Sequence, residues 1–134
     1  MKQKKILIVD DEPDFVETVR FPLETEGYSV LVASDGEEGL HQARKEVPDL
    51  ILLDIMLPKM DGYKVCRLLK FDERYRHIPI LMMTAKTQPK DRVLGMDTGA
   101  DAYITKPFDV EQLVEHVKSY LSNEFGGMSS VLGD

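Results

Sequence analysis

Five short apolar runs recur along the chain at nearly even spacing, with helical periodicity between them. This alternation constrains the fold more than any other feature. The runs are Ile6-Leu7-Ile8-Val9, Tyr28 to Ala33, Leu50-Ile51-Leu52-Leu53, Ile78 to Met83 and the shorter Ala102-Tyr103-Ile104. A strand that is apolar on both faces needs cover on both faces, which is the condition of a parallel sheet between layers of helix. The intervening stripes are Phe15, Val16, Val19 and Leu23, then Leu40, Ala43 and Val47, then Val65, Leu68 and Leu69, opened by Asp61 as an N-cap. A weaker stripe runs from Lys90 to Met96, and the clearest joins Val110, Leu113, Val114, Val117 and Leu121. Pro22 falls inside the first stripe and is expected to kink or shorten that helix. Five strands alternating with five helices predict an α/β fold with right-handed crossovers and a doubly wound sheet.

Size and charge narrow the functional classes. At 134 residues the chain is about one domain and buries roughly two-thirds of its unfolded surface without a disulfide. Its one cysteine, Cys66, rules out an internal disulfide and a thiolate zinc site. Apolar residues make up 43% and charged residues 31%, the balance of a folded soluble domain rather than a disordered chain. With 24 acids against 17 bases and a formal charge of −7, direct binding to nucleic acid or to an anionic membrane through the general field is not expected. The run Ile6 to Val9 stops at two aspartates, too short for a signal core or a membrane span, so the chain reads as cytoplasmic. There is no internal repeat. After Leu121 the pattern stops, so residues 1–122 are expected to form the domain. The Gly- and Ser-containing residues 123–134 then form a flexible tail or the start of a linker.

In an open α/β sheet, ligands sit beyond the carboxyl ends of the strands, at the point where strand order reverses. The residues ending the strands are Asp10-Asp11-Glu12, Asp54, Thr84-Ala85 and Thr105-Lys106-Pro107. If the order is 2-1-3-4-5, the first and third strands are neighbours roughly 4.8 Å apart, and Asp10, Asp11 and Asp54 crowd together. Crowded carboxylates repel unless a cation joins them, and an all-oxygen donor set favours Mg²⁺ or Mn²⁺. Lys106 adds a compact positive charge, Thr84 a hydroxyl, and Ala85 leaves room. Metal, lysine, hydroxyl and carboxylate together suit a transferred phosphoryl group, with the carboxylate as nucleophile. Each residue alone has a plainer reading. Asp54 can be a turn residue, Asp10 and Asp11 can complement a helix dipole, and Thr84 and Lys106 can be ordinary strand-end residues. Glu12 reads as a first-turn helix acid rather than a ligand.

The runs ILIVDDE (Ile6–Glu12), LILLDIMLPKMDGY (Leu50–Tyr63), PILMMTA (Pro79–Ala85) and GADAYITKPF (Gly99–Phe108) together resemble the receiver domain of two-component response regulators. The resemblance covers about Lys4 to Leu121. It implies a flavodoxin-like (βα)5 domain with a five-stranded parallel sheet of order 2-1-3-4-5 and helices on both faces. It implies that Asp54 accepts a phosphoryl group from a histidine kinase or phosphotransfer protein. Asp11, Asp54 and the backbone carbonyl of Met56 would ligate Mg²⁺ (Mn²⁺ as a substitute), with Asp10 acting largely through water. Thr84 and Lys106 would hold the phosphoryl oxygens, and the Lys106–Pro107 bond would be cis. Thr84 and Tyr103 would form the switch, moving the surface of the fourth helix, fifth strand and fifth helix toward a partner protein or output domain. Met56 and Lys86 would set the lifetime of the acyl phosphate.

The sequence departs from the pattern of receivers joined to winged-helix DNA-binding domains at Ala102, where an acid often stands, and in the fifth helix near His116, where an arginine often stands. Their salt-bridged dimer face is therefore not expected, and the chain reads as a monomer or a weak phosphorylation-dependent dimer. Two other classes compete. A receiver-like scaffold would bind partners without phosphorylation, which the intact set of site residues argues against. A haloacid-dehalogenase-type phosphatase would share Asp, Thr, Lys and Mg²⁺. It would also carry a DxD nucleophile on an early strand and a cap insertion, for which this chain has no room.

Overall fold

The computed structural model describes residues 3–84, 98–106 and 108–122. In chain order the elements are β1 (Lys5–Val9), α1 (Pro13–Thr25), β2 (Ser29–Ala33), α2 (Gly36–Glu46), β3 (Leu50–Asp54), α3 (Gly62–Lys70), β4 (Ile80–Thr84), β5 (Ala102–Thr105) and α4 (Val110–Leu121). All strand pairs are parallel and the order is β2-β1-β3-β4-β5, as the sequence reading expected. The stripe at Lys90 to Met96 lies outside the described residues.

Alternation along each strand divides the core in two. Ile6, Ile8, Leu50, Leu52, Leu81, Met83 and Ile104 face α1 and α4, meeting Val16, Val19, Leu23, Leu113, Val114, Val117 and Leu121. Leu7, Val9, Ile51, Leu53, Ile80 and Met82 face α2 and α3, meeting Leu40, Ala43, Val65, Cys66 and Leu69. The central strands are fully covered, which is why they read as continuous apolar runs. Truncating one such residue, for example Leu52→Ala, would cost about 2–5 kcal/mol through lost transfer energy and the cavity left behind. Among the described residues no helix is long and apolar enough to cross a membrane.

Helix ends follow local chemistry. Asp61 caps α3 as expected, its side chain accepting from Lys64 N–H at 3.0 Å, and Asp35 caps α2 by accepting from Glu38 N–H at 2.8 Å. Gly27, at φ 99°, ends α1: its N–H donates to Glu24 O, and Tyr28 N–H donates to Leu23 O. This Schellman arrangement closes the last turn of the helix.

Several expectations need correction. Pro22 does not shorten α1, which runs on to Thr25. The N–H that proline lacks would have met the carbonyl of Thr18, an exposed residue open to solvent. Val47 is not part of the α2 stripe: it is the C-cap, left-handed at φ 45° and exposed. In α3, Leu68 is exposed and Cys66 is buried with Val65 and Leu69, so the face turned to the sheet is Gly62, Val65, Cys66 and Leu69. Strand β2 begins at Ser29 rather than Tyr28, whose N–H is used to close α1. Strand β4 begins at Ile80 rather than Ile78, because Ile78 closes a turn onto Tyr75 and its carbonyl accepts from Lys70 Nζ at 2.9 Å.

Candidate functional site

Parallel pairing brings all carboxyl ends to one rim. Val9 stands opposite Leu53 and Asp54 opposite Met83, so Asp10 follows β1 beside the end of β3. Asp10, Asp11 and Asp54 each offer a carboxylate oxygen, and these atoms lie within 4.8 Å of one another. Asp10 and Asp54 are buried, at 2% and 6% exposure, whereas Asp11 is exposed. Asp54 continues the parity of Leu50 and Leu52, and Asp10 that of Ile6 and Ile8. Both therefore lie on the α1 side of the sheet's end.

Lys106 follows β5 and completes the cluster. Its Nζ donates to Asp10 Oδ2 at 3.0 Å and lies 3.7 Å from Asp54 Oδ2 and 3.9 Å from Glu12 Oε1. Its backbone N–H donates to Thr84 O at 2.6 Å, which ties β5 to the end of β4. Asp10 Oδ1 accepts from Glu12 N–H at 2.9 Å, and Asp54 Oδ1 accepts from Met56 N–H at 3.3 Å. One lysine thus faces three clustered carboxylates, two of them buried. Burial pushes the Asp54 carboxyl up to about 6, with Asp10 and Asp11 adding to the rise and Lys106 and the Met56 N–H opposing it.

The surroundings explain this geometry. Gly62 opens α3 against the backbone of Asp54 and Ile55, and its N–H donates to Ile55 O at 2.9 Å. A Cβ there would collide with the Asp54 carbonyl oxygen, so only glycine allows α3 to brace the end of β3 so closely. The sequence reading passed over Gly62. It also passed over Phe15 beyond its place in a helix stripe, yet the Phe15 ring centroid lies 4.2 Å from Lys106 Nζ. No spacing rule signals that contact, because the two residues come from opposite ends of the chain. Glu12 proves to be the N-cap of α1, with an exposed side chain at the edge of the pocket.

Thr84 ends β4 and is buried at 4% exposure. Tyr103 is half-buried on β5, registered with Met82, so Tyr103 and Thr84 share the face of the sheet that carries α2 and α3. Met56 is exposed just past Asp54. Lys86, Ala85 and Pro107 lie outside the described residues. His41 lies on α2, His116 on α4 and His77 before β4, all away from the rim.

The donor set fits a hard divalent cation. It is made only of carboxylate oxygens, two of them desolvated, with negative charge in excess of the one lysine. Such a cluster is costly while it holds only its own charges, and Mg²⁺ or Mn²⁺ would relieve it.

Comparison with known proteins shows the family. A family profile described as "Response regulator receiver domain" matches residues 6–118. The alkaline phosphatase synthesis transcriptional regulatory protein PhoP of Bacillus subtilis (strain 168) is 51% identical over 118 residues, 88% of this chain and 48% of that protein. The DNA-binding dual master transcriptional regulator RpaA of Synechocystis sp. is 50% identical over 117 residues, 87% of this chain and 48% of that protein. The chain thus spans about half the length of these curated relatives. Among solved structures, a putative response regulator from Chloroflexus aurantiacus aligns with a TM-score of 0.84 at 37% identity, covering 90% of this chain and 99% of that one. The chemotaxis response regulator CheY4 of Vibrio cholerae aligns at 0.83 with 33% identity, covering 90% of this chain and 100% of that one.

Proposed function

We propose that this chain, which belongs to the family of response regulator receiver domains, works as a phosphorylation-activated switch with Asp54 as its acceptor. The observation that carries the reading is the meeting of Asp10, Asp11, Asp54 and Lys106 at one rim, with a lysine ammonium 3.7 Å from the Asp54 carboxylate. In this reading an Asp54 oxygen attacks phosphorus. The new P–O bond forms as the P–N bond of a phosphohistidine donor breaks, and the imidazole leaves with the bonding pair and takes up a proton. At neutral pH a carboxyl at about 6 is mostly ionised, so the nucleophile is present in its reactive form. Lys106 offsets charge on the phosphoryl oxygens, and Thr84 donates its hydroxyl to one of them.

Asp11, Asp54 and the Met56 carbonyl would hold Mg²⁺, with Asp10 acting largely through water, and the ion would supply neutralisation of the phosphoryl charge. The acyl phosphate adds roughly two negative charges and three acceptor oxygens beside Thr84. Thr84 moves toward it and Tyr103, on the same face, follows, altering the surface of β5 and α4. Water later hydrolyses the acyl phosphate, and by analogy with other receivers Met56 and Lys86 would set its lifetime. Beyond this self-transfer and slow dephosphorylation the chain is not an enzyme.

The regulatory relatives are about twice as long as this chain, which supports a further reading. Residues 1–122 are the switch domain, residues 123–134 are a tail or the start of a linker, and any contact with DNA belongs to an output domain rather than to this acidic segment. The chain works in the cytoplasm with a histidine kinase as donor, as a monomer or a weak phosphorylation-dependent dimer. The test is phosphotransfer from phosphoramidate, a small P–N donor, with Mg²⁺ and then with excess EDTA. Single-site labelling that stops in EDTA is expected. Undiminished labelling in EDTA contradicts the metal-assisted site.

A further inference from the structure

Lys106 carries its charge on a flexible four-carbon stem, and a lysine holds its position only as well as its surroundings restrict it. Three carboxylates compete for this one. Asp10 takes a hydrogen bond at 3.0 Å, Asp54 stands at 3.7 Å, and Glu12 stands at 3.9 Å at the exposed edge. Glu12 draws the ammonium outward, away from Asp54. The fourth neighbour is not an acid. The Phe15 ring centroid lies 4.2 Å from Nζ, and Phe108 meets that ring edge-on, with centroids 5.6 Å apart and planes at 83°. Edge-to-face packing fixes a ring's orientation, and a fixed ring face attracts a cation without accepting its proton or its hydrogen bonds.

We propose that Phe15 is a positioning residue for phosphoryl transfer: braced by Phe108, its ring keeps the Lys106 ammonium over the Asp10–Asp54 pocket instead of at the Glu12 edge. The inference rests on the reading of Asp54 as acceptor and Lys106 as its charge partner. It adds a role for a residue that touches neither the phosphoryl group nor the carboxylates. The ring leaves the ammonium's N–H donors available for oxygens, whereas a carboxylate in the same place would occupy them. A leucine would keep the apolar contact with α1's surroundings and lose the attraction.

Two readouts test this on the whole chain. In metal-free protein the Lys106 ε-methylene protons should be shifted upfield by the ring, the shift should vanish in Phe15→Leu, and it should persist in Phe15→Tyr. In labelling by acetyl phosphate with Mg²⁺, Phe15→Leu should react about two- to fivefold more slowly, the range an exposed to partly desolvated cation–π contact supports, and Phe15→Tyr should react like the parent. In a Lys106→Ala background, Phe15→Leu should have no further effect. An unshifted Lys106 methylene in the parent overturns the proposal. So does equal slowing by Phe15→Leu with and without Lys106, because a merely structural residue would act in both backgrounds. Asp54→Asn serves as the control. If that variant labels like the parent, the acceptor assignment fails, while the Lys106 shift still decides where the ring holds the ammonium.

Discussion

Asp54→Asn should stabilise the metal-free chain at neutral pH. Asp54 is 6% exposed and shares its corner with Asp10 and Asp11, and the folded protein moves its carboxyl from 3.8 to about 6. A folded value above the unfolded one means that the native state binds the proton more tightly, so ionisation costs stability. That cost is complete above pH about 6, shrinks as the pH falls, and is gone below 3.8. At about 1.4 kcal/mol per tenfold change in proton affinity, the displacement has an upper value of about 3 kcal/mol. The exposed Asp11 side admits water, which screens the charges, so about 1–2 kcal/mol is expected. Asparagine removes the charge at nearly constant shape, and its amide oxygen still accepts the Met56 N–H. Urea unfolding in EDTA measures the effect, which corresponds to about 3–6 °C in a thermal scan. The advantage of the variant should fade as the pH is lowered from neutral toward 3.8. Saturating Mg²⁺ should narrow it, because a cation that binds only the folded parent adds stability by mass action. A variant no more stable than the parent at neutral pH, or a gap that widens on acidification, would refute the reasoning.

Other changes have separable outcomes. Lys106→Ala leaves buried Asp10 and Asp54 without their counter-charge and should cost about 1–3 kcal/mol at neutral pH and less in acid; a pH-independent loss in denaturant unfolding would argue against that cause. Asp101→Ala removes the acceptor shared by Lys70 Nζ at 2.9 Å and Ile80 N–H at 2.8 Å, which should cost about 1–3 kcal/mol and leave phosphodonor labelling unchanged; a labelling loss as complete as that of Asp54→Asn would show that this clamp is coupled to the rim. Val47→Gly relieves a β-branched residue at φ 45° and should raise stability by about 0.5–1 kcal/mol despite the entropy of glycine; a lower melting temperature would contradict it.

The sequence made the layers and the rim legible, and the reasons are physical. Leu50 to Leu53 is apolar on both faces because both faces are covered, and the period-2 parity of β1 and β3 carries Asp10 and Asp54 to the same side. Periodicity is less able to fix rotation or ends. Leu68 and Cys66 differ by two positions on one helix, and only the packed sheet decides which is buried. Strand starts depend on partners far away in sequence: Asp101 supplies the acceptor for Ile80 N–H, and Lys70 caps the Ile78 carbonyl. The same holds for the Phe15 ring beneath Lys106, a tertiary contact with no local signature. Pro22 does not shorten α1, because a helix tolerates one lost hydrogen bond at an exposed position.

Intact-mass spectrometry after incubation with acetyl phosphate and Mg²⁺ asks whether the gathered carboxylates include a phosphoryl acceptor. The parent chain should gain the mass of a single phosphoryl group and Asp54→Asn should gain none. A parent that stays unmodified, or an Asp54→Asn chain that takes up the same mass, would contradict it.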